Sequence, residues 1–383
     1  MKVGILGSTG FLGEQIVEVL SQEKEYELVL LSGYLNLDKL MDQVRRFQPR
    51  YAFSPFLAKE TPPYSLSKKT QFMSEREALR DILLSEEVEG VFFASGGISF
   101  LSIFLELLDT PKPLWIASKE MIILAGEIKP RHFFLKRPHC IPLDSEHNAI
   151  WQMLHMIQRE EIAKIYLTAS GGPFYDWQGE EADITPEMAL AHPNWRMGTK
   201  ITIDSANLIN KGLEVIEASI LFGFDFTNLD VVIQRESLIH ALITMKDGFT
   251  LALLSPPDMR SVIFNALHPQ REHPNPFAKL DFAQLRFLRF DYPVPSRFRG
   301  FYLALNAGKK GSGYPTLFCG ADEACVQAFL QRKITLDEIP SIIERVMEQE
   351  ISAPHNGEDL EYIYRLGVEG AEELIRERSF FDD

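Results

Sequence analysis

Leu6-Gly7-Ser8-Thr9-Gly10-Phe11-Leu12-Gly13 follows the apolar run Lys2-Val3-Gly4-Ile5-Leu6 and opens a helical pattern that continues to Ser21. Glycines at 7, 10 and 13 permit a tight turn, close approach of main chain to a pyrophosphate, and close packing of helix on strand. The helix start then presents unpaired amides to the anion. This spacing varies the usual dinucleotide fingerprint, and a glycine turn without a ligand is the plain alternative. Its place directly after a first strand favours a cofactor. Gly7, Ser8, Thr9, Gly10, Phe11 and Leu12 are the candidate contacts, with Gly33 after the second strand. No acid stands in Leu31-Ser32-Gly33-Tyr34 to grip a ribose 2′-hydroxyl. That leaves room for a 2′-phosphate and points to NADPH, with Lys39 the nearest basic candidate.

Outward from this turn the chain alternates strand-like pieces, Leu28–Leu31, Gly90–Ala94, Leu114–Ala117 and Cys140–Leu143, with helical stretches such as Glu75–Leu84 and Phe100–Leu108. Such alternation predicts parallel pairing with right-handed crossovers, a Rossmann-like α/β domain over 1–143. Beyond Leu143 long Gly/Pro-rich loops separate the pieces Ile165–Ala169 and Lys200–Asp204, both expected as strands. A hairpin is expected between Leu238–Met245 and Phe249–Leu254. These define an α+β domain over 144–264. A Pro- and Arg-rich linker is expected over 265–299, and a C-terminal helical bundle over 300–383 with helices near Ala321–Arg332, Leu336–Gln349 and Leu360–Arg376.

The 383 residues are 45% hydrophobic and 24% charged, which is ordinary globular composition, and carry a net charge of -15. A nucleic-acid binder would need a basic face, so that class is disfavoured. Three cysteines, Cys140, Cys319 and Cys325, form no disulfide framework. No apolar stretch reaches the roughly 18 residues of a membrane span. The expectation is a cytoplasmic protein with reduced thiols and no membrane partner.

Chemistry concentrates in the middle of the chain. Asp144-Ser145-Glu146, read as extended, sets two carboxylates on one side. Adjacent acids repel unless a cation or proton lies between them. Asn210-Lys211-Gly212-Leu213-Glu214 adds a third carboxylate on an expected helix, and an all-oxygen set suits Mg²⁺ or Mn²⁺. Taken alone, Asp-x-Glu is commonplace on protein surfaces. Thr168-Ala169-Ser170-Gly171-Gly172-Pro173-Phe174 is a polar turn suited to an anion, and Ser205 and Asn210-Lys211 offer further donors. On a helix Lys211 and Glu214 share a face. His192-Pro193-Asn194-Trp195-Arg196-Met197-Gly198 has the composition of a closing loop, or of a loop whose Trp packs inward.

Together, these segments resemble 1-deoxy-D-xylulose 5-phosphate reductoisomerase. The resemblance rests on Gly7-Ser8-Thr9-Gly10, Asp144-Ser145-Glu146-His147-Asn148-Ala149-Ile150, Ser170-Gly171-Gly172-Pro173-Phe174, His192-Pro193-Asn194-Trp195, Met197-Gly198 and Asn210-Lys211-Gly212-Leu213-Glu214, in the family's order. It implies that Asp144, Glu146 and Glu214 bind the divalent ion. Ser170, Ser205, Asn210 and Lys211 would hold the substrate phosphate with His192 beside them, and Ser145, Glu146 and Glu214 would also touch substrate. Trp195 and Met197 would belong to the closing loop. Lys119 would lie between nicotinamide and substrate, and Ser118, Glu120 and Gly198 would join the cofactor set. A homodimer is implied as well. The implied reaction is a carbon-skeleton rearrangement followed by reduction with NADPH, giving 2-C-methyl-D-erythritol 4-phosphate. Ser118 stands where the family usually has Asn, Ala169 where Gly is common, and Ser95-Gly96-Gly97-Ile98 departs from the usual segment. A semialdehyde dehydrogenase, the rival enzyme class, needs an activated cysteine, and none of the three has that context. A non-catalytic sensor is disfavoured by retention of all three carboxylates and Lys211.

Overall fold

A computed structural model of the protein describes residues 1–57, 69–191, 195, 197–270, 273–283 and 285–379. In chain order the strands are β1 (Lys2–Leu6), β2 (Glu27–Ser32), β3 (Tyr51–Phe53), β4 (Gln71–Met73), β5 (Gly90–Phe93), β6 (Leu114–Ile116), β7 (Cys140–Pro142), β8 (Ile162–Ala169), β9 (Leu229–Ile233), β10 (Ile239–Met245) and β11 (Thr250–Leu254). Helices of the first half are α1 (Phe11–Leu20), α2 (Leu37–Phe47), α3 (Arg76–Leu84), α4 (Leu101–Leu107), α5 (Lys119–Ile128), α6 (Ser145–Leu154) and the single turn α7 (Pro186–Ala189). They are followed by α8 (Thr199–Ala206), α9 (Ile209–Phe222), α10 (Met259–Leu267), α11 (Arg299–Lys310), α12 (Tyr314–Leu330), α13 (Glu338–Val346) and α14 (Gly357–Ser379).

The chain divides into two compact units. The first comprises Met1–Ser118, Arg137–Asn148 and Met259–Phe277. Among its described residues lies a seven-stranded sheet, ordered β4-β3-β2-β1-β5-β6-β7 and parallel throughout. Helices cover both faces of such a sheet, so its strands read as unbroken apolar runs. Val3, Ile5 and Leu6 of β1 and Val91, Phe92 and Phe93 of β5 are fully buried. Strand order reverses between β1 and β5, the position where open α/β sheets bind ligands at their carboxyl ends. The glycine turn sits on that end of β1. Helix α10, which reaches into the Pro-rich segment read as linker, packs back in this unit. Trp115 stacks on Phe92 at 4.3 Å and its indole donates to Ala266 O at 3.1 Å. A buried indole N–H needs a partner, and the carbonyl end of α10 supplies it.

The second unit comprises Lys119–Lys136, Ala149–Asp258 and Ala278–Asp383. Its four-stranded sheet runs β11-β10-β8-β9, antiparallel except for β8 with β9. The β10–β11 hairpin forms as its sequence predicts. Helices α5, α7, α8 and α9, the greater part of α6 and the C-terminal helices α11 to α14 also belong to it, giving the expected mixed α/β class with a helical C-terminal part.

One expected strand is a helix. Lys200–Asp204 alternates β-branched residues, yet α8 spans Thr199–Ala206. Thr202, Ile203, Asp204, Ser205 and Ala206 are all buried in succession, which a half-exposed strand does not do. Lys200 and Asp204 close an i, i+4 ion pair at 2.7 Å. Tertiary burial overrode the β propensity of the two isoleucines.

Helix α5 carries a titration with a readable consequence for stability. Glu127 accepts a hydrogen bond from Gly313 N, and burial pushes its carboxyl up from 4.5 to about 7, against the lowering effect of that bond. Between these values the native chain keeps a proton that the unfolded chain releases. Stability contributed by this group is therefore complete below pH 4.5 and lost as pH rises towards 7. The slope is at most ~1.4 kcal/mol per pH unit. Glu127→Gln should flatten it, seen as urea midpoints that change less between these pH values than those of the parent. An unchanged pH profile would refute the assignment.

Candidate active site

In the first unit the turn after β1 is shaped by backbone demands. Gly7 adopts φ +91°, and a Cβ there would lie 2.7 Å from Ser95 N. At Gly13 a Cβ would fall 2.1 Å from Gly7 O, so α1 can lie against the turn only with glycine there. Gly7 N donates to Ser32 Oγ at 2.9 Å and Ser8 N to Ser32 O at 2.8 Å. Ser8 is fully buried, and its hydroxyl donates to Gln43 Oε1 at 2.7 Å. Both donors of Ser8 thus tie the turn to β2 and α2. Gly10 is the N-cap of α1 and brings no side-chain cap, leaving the first-turn amides of Phe11, Leu12 and Gly13 open to an anion. These features fit a dinucleotide pyrophosphate. Gly33 N is bonded to Phe53 O at 3.0 Å. Lys39 pairs with Glu14 at 2.9 Å, both half-exposed, a contact weak enough to exchange for a phosphate. Ser118 Oγ donates to Gly97 O at 3.1 Å.

The carboxylates of this unit are arranged differently from the extended reading. Strand β7 ends at Pro142 and α6 begins at Ser145. Asp144 Oδ1 accepts from the amides of Glu146 at 3.0 Å and His147 at 3.2 Å, as an N-cap does, and lies 2.8 Å from His147 Nδ1. Alternation along a strand therefore does not orient Asp144 and Glu146; a cap and a first helical turn do. Ser145 Oγ donates to Glu146 Oε1 at 2.9 Å. Asn148 Nδ2 donates to Pro142 O at 3.0 Å and fastens the helix start to the end of β7. His147, fully buried, was not singled out from the sequence. Its place three residues after an N-capping Asp was the available signal.

In the second unit Glu214 is the focus. It is 1% exposed, and its carboxylate meets Lys211 Nζ, Asn210 Nδ2 at 2.5 Å and Lys119 Nζ at 3.8 Å. A carboxylate this buried is tolerable only with such compensation. Lys211 and Glu214 share a face of α9 as their spacing predicts.

In the same unit, the Ser170-Gly171-Gly172 turn has both glycines at positive φ, +81° and +71°. A Cβ on Gly172 would lie 2.5 Å from Ser205 O, so the turn rests directly on the main chain of α8. Ser170 Oγ accepts from Gly172 N at 3.2 Å, while Ser205 Oγ donates to Ile201 O at 2.9 Å. Arg235 donates to Ser170 O at 2.6 Å and Gly172 O at 3.1 Å, holding the turn from outside. Nothing in the sequence around Arg235 marked it for this work. Asn210 Oδ1 and Asn207 Nδ2 are buried without a hydrogen-bond partner, polar groups that a bound anion or its waters would satisfy.

Trp195 lies 6.0 Å from the His240 ring, centroid to centroid, and is partly buried. His192 lies outside the described residues. Gly198 is the exposed N-cap of α8. Glu120, expected beside the cofactor, has Oε1 3.6 Å from Lys200 Nζ.

Comparison with known proteins bears on what this arrangement serves. Family models for 1-deoxy-D-xylulose 5-phosphate reductoisomerase match residues 3–126, its C-terminal domain residues 140–222, and a further DXP reductoisomerase C-terminal domain residues 254–368. The chain belongs to the 1-deoxy-D-xylulose 5-phosphate reductoisomerase family. Family members from Clostridium perfringens and Halothermothrix orenii are 38% identical over 352 residues and 39% identical over 359 residues. These alignments cover 90% and 92% of this chain and 92% and 93% of theirs. Among solved structures, a DOX-P reductoisomerase in complex with NADPH, fosmidomycin and magnesium superposes with TM-score 0.86 at 30% identity, covering 98% of each chain. The family member from Zymomonas mobilis, in complex with NADPH, gives 0.85 at 30% identity over the same share.

Proposed function

We infer that this chain converts 1-deoxy-D-xylulose 5-phosphate into 2-C-methyl-D-erythritol 4-phosphate with NADPH and a divalent cation, Mg²⁺ or Mn²⁺. Family membership over nine-tenths of the chain carries this reading. The donor chemistry is compatible with it. Asp144, Glu146 and Glu214 supply only oxygen ligands, with no thiol among them, as a hard dication requires. When bound, the cation supplies Lewis acidity at the ketone and neighbouring hydroxyl oxygens, and NADPH supplies the hydride.

The roles of the chain's own residues are proposed on the same reading. Ser170, Ser205, Asn210 and Lys211, with His192, would hold the phosphate. That group is remote from the carbon–carbon bond that shifts, so its binding energy orients the reacting end. Lys119, buried and facing Glu214, would keep its ammonium where charge develops on substrate oxygen. Ser145 and Glu146 would contact the substrate from the start of α6. Trp195 and Met197 would exclude water as the loop closes. On the cofactor side the reading assigns Gly7, Ser8, Thr9, Gly10, Phe11, Leu12, Gly33, Ser118, Lys119, Glu120 and Gly198, and places NADPH binding in 1–143 and chemistry in 144–264. The deciding experiment follows NADPH absorbance with 1-deoxy-D-xylulose 5-phosphate, with and without Mg²⁺ or Mn²⁺. No cation-dependent oxidation of NADPH would sink the reading.

The same reading includes a homodimer. Strand β11 is a sheet edge with Thr250, Leu251 and Ala252 exposed, and Phe249 just before it is 76% exposed. An apolar, uncharged edge calls for cover. Phe249→Asp is expected to convert dimer to monomer in sedimentation velocity; a parent that is monomeric at every concentration refutes the pairing. A cytoplasmic setting is the natural companion, since Cys140, Cys319 and Cys325 are all free and buried. No described helix is long and apolar enough to cross a membrane.

A further inference from the structure

Lys200 stands second in α8 and none of the chemistry above uses it. Its ammonium meets Asp204 Oδ2 at 2.7 Å, Asp322 Oδ2 more closely still, and Glu120 Oε1 at 3.6 Å. All four groups belong to the second unit. The surroundings are dry: Asp322 is 0% and Asp204 2% exposed, and one oxygen of each accepts no hydrogen bond. Three acids around one lysine in such a place are costly unless the arrangement serves something. Burial, and then the neighbouring acid, pushes Asp204 well above the usual carboxylate range. Burial likewise raises Asp322 despite Lys200. Burial would lower Lys200, but Asp204, Asp322 and Glu120 together hold it well above its ordinary value. The ammonium stays charged. Glu323 and Cys319 of α12 and Tyr364 of α14 sense the same charges.

The two short contacts differ in what they connect. Asp204 lies on α8 itself and only stiffens the helix. Asp322 lies on α12 and ties α8 to the C-terminal helices. That tie matters because α8 is only eight residues long and its N-terminal end has no side-chain cap. Its N-cap is Gly198, which has no side-chain cap and nothing within 4 Å of a built Cβ. Its C-terminus passes through Leu208 at φ +60° into α9. The main chain of Ser205 on the last turn of α8 carries the Ser170-Gly171-Gly172 turn. A tilt of α8 would displace both at once.

We propose that Asp322 is a positioning residue for substrate binding. By holding Lys200 it fixes α8, and hence Ser205 and the glycine turn stacked upon it, in the orientation that receives the phosphate. The C-terminal helices thereby take part in substrate recognition without touching substrate. This rests on the reading of Ser205 as a phosphate contact.

The test is a double-mutant cycle on the full chain with 1-deoxy-D-xylulose 5-phosphate, NADPH and Mg²⁺. Asp322→Asn keeps shape and leaves Lys200 with two carboxylates, so its charge state survives. It should raise KM for the sugar phosphate about tenfold, the loss of roughly one well-aligned hydrogen bond. KM for NADPH should be unchanged. In the Ser170→Ala/Ser205→Ala background the same substitution should add less than about twofold, because both side-chain contacts it positions are already gone. A merely structural role predicts the same loss in both backgrounds and in both KM values, and that result overturns the proposal. So does a sugar-phosphate KM within about twofold of the parent when Ser205→Ala alone raises it. Should Ser205→Ala alone change nothing, the phosphate-contact reading falls and takes this proposal with it. If Asp322→Asn does not fold, Lys200→Arg, which keeps the charge but alters the reach to Asp322, carries the same cycle with the same outcomes.

Discussion

Glu214→Gln is expected to lower kcat by about a thousandfold while NADPH binds as tightly as in the parent. The substitution removes one negative charge and almost no volume. In the native chain that charge, 1% exposed, faces Lys211, Asn210 and Lys119. Without it Lys119 and Lys211 each lose one anionic neighbour and the proposed dication loses an anionic ligand. Lewis-acid stabilisation of a developing oxyanion is worth several kcal/mol, and each ~1.4 kcal/mol is tenfold in rate. The candidate cofactor turn shares no side chain with Glu214, and Lys119 keeps its charge in the variant, so NADPH fluorescence titration should be unaltered. Raising the Mn²⁺ concentration should restore part of the rate, because the ligand is weakened rather than blocked. Turnover within about threefold of the parent at ordinary cation levels would remove Glu214 from the chemistry.

Lys211→Ala should raise KM for the sugar phosphate by about 10- to 100-fold, the range of one charge-assisted hydrogen bond of ~1.5–3 kcal/mol. KM for NADPH should not move. Lys211 is 5% exposed, so its ammonium is desolvated and its loss is felt strongly. The ion pair with Glu214 adds a second readout of opposite sign. Deleting the lysine leaves that carboxylate more negative, so half-maximal activity should need less Mg²⁺, not more. A rise in both the substrate KM and the Mg²⁺ requirement would mean that Lys211 serves chiefly to keep Glu214 in place.

The parts of this protein that could be read from its residues are those where local pattern and tertiary demand agree. The parallel sheet around β1 was legible because strands buried on both faces must be apolar throughout, and the glycine turn because only glycine satisfies the contacts at positions 7 and 13. The pairing of Lys211 with Glu214 followed from helical spacing alone. Helix α8 was misread because Ile201 and Ile203 alternate with polar residues, and no local signal announces burial of the polar positions too. The extended reading of Asp144–Glu146 failed by overlooking a helix N-cap: an Asp followed by Ser-Glu-His opens α6. Arg235 and Asp322 could not have been found, since each acts through a partner 60 or more residues away, 65 for the contact with Ser170 and 122 for that with Lys200.

The close approach of Gly172 to the Ser205 carbonyl limits how the proposed phosphate pocket could be re-engineered. Where two lengths of polypeptide main chain abut, the width of the recess is set by atoms that every amino acid has in common. Side-chain libraries aimed at larger or smaller anionic head groups have little purchase on such a dimension. Altered preference would have to come from insertion or deletion that moves the backbone, or from donors around the rim. A selection for a sulfonate or a carboxylate in place of phosphate should therefore return glycine at 172 every time.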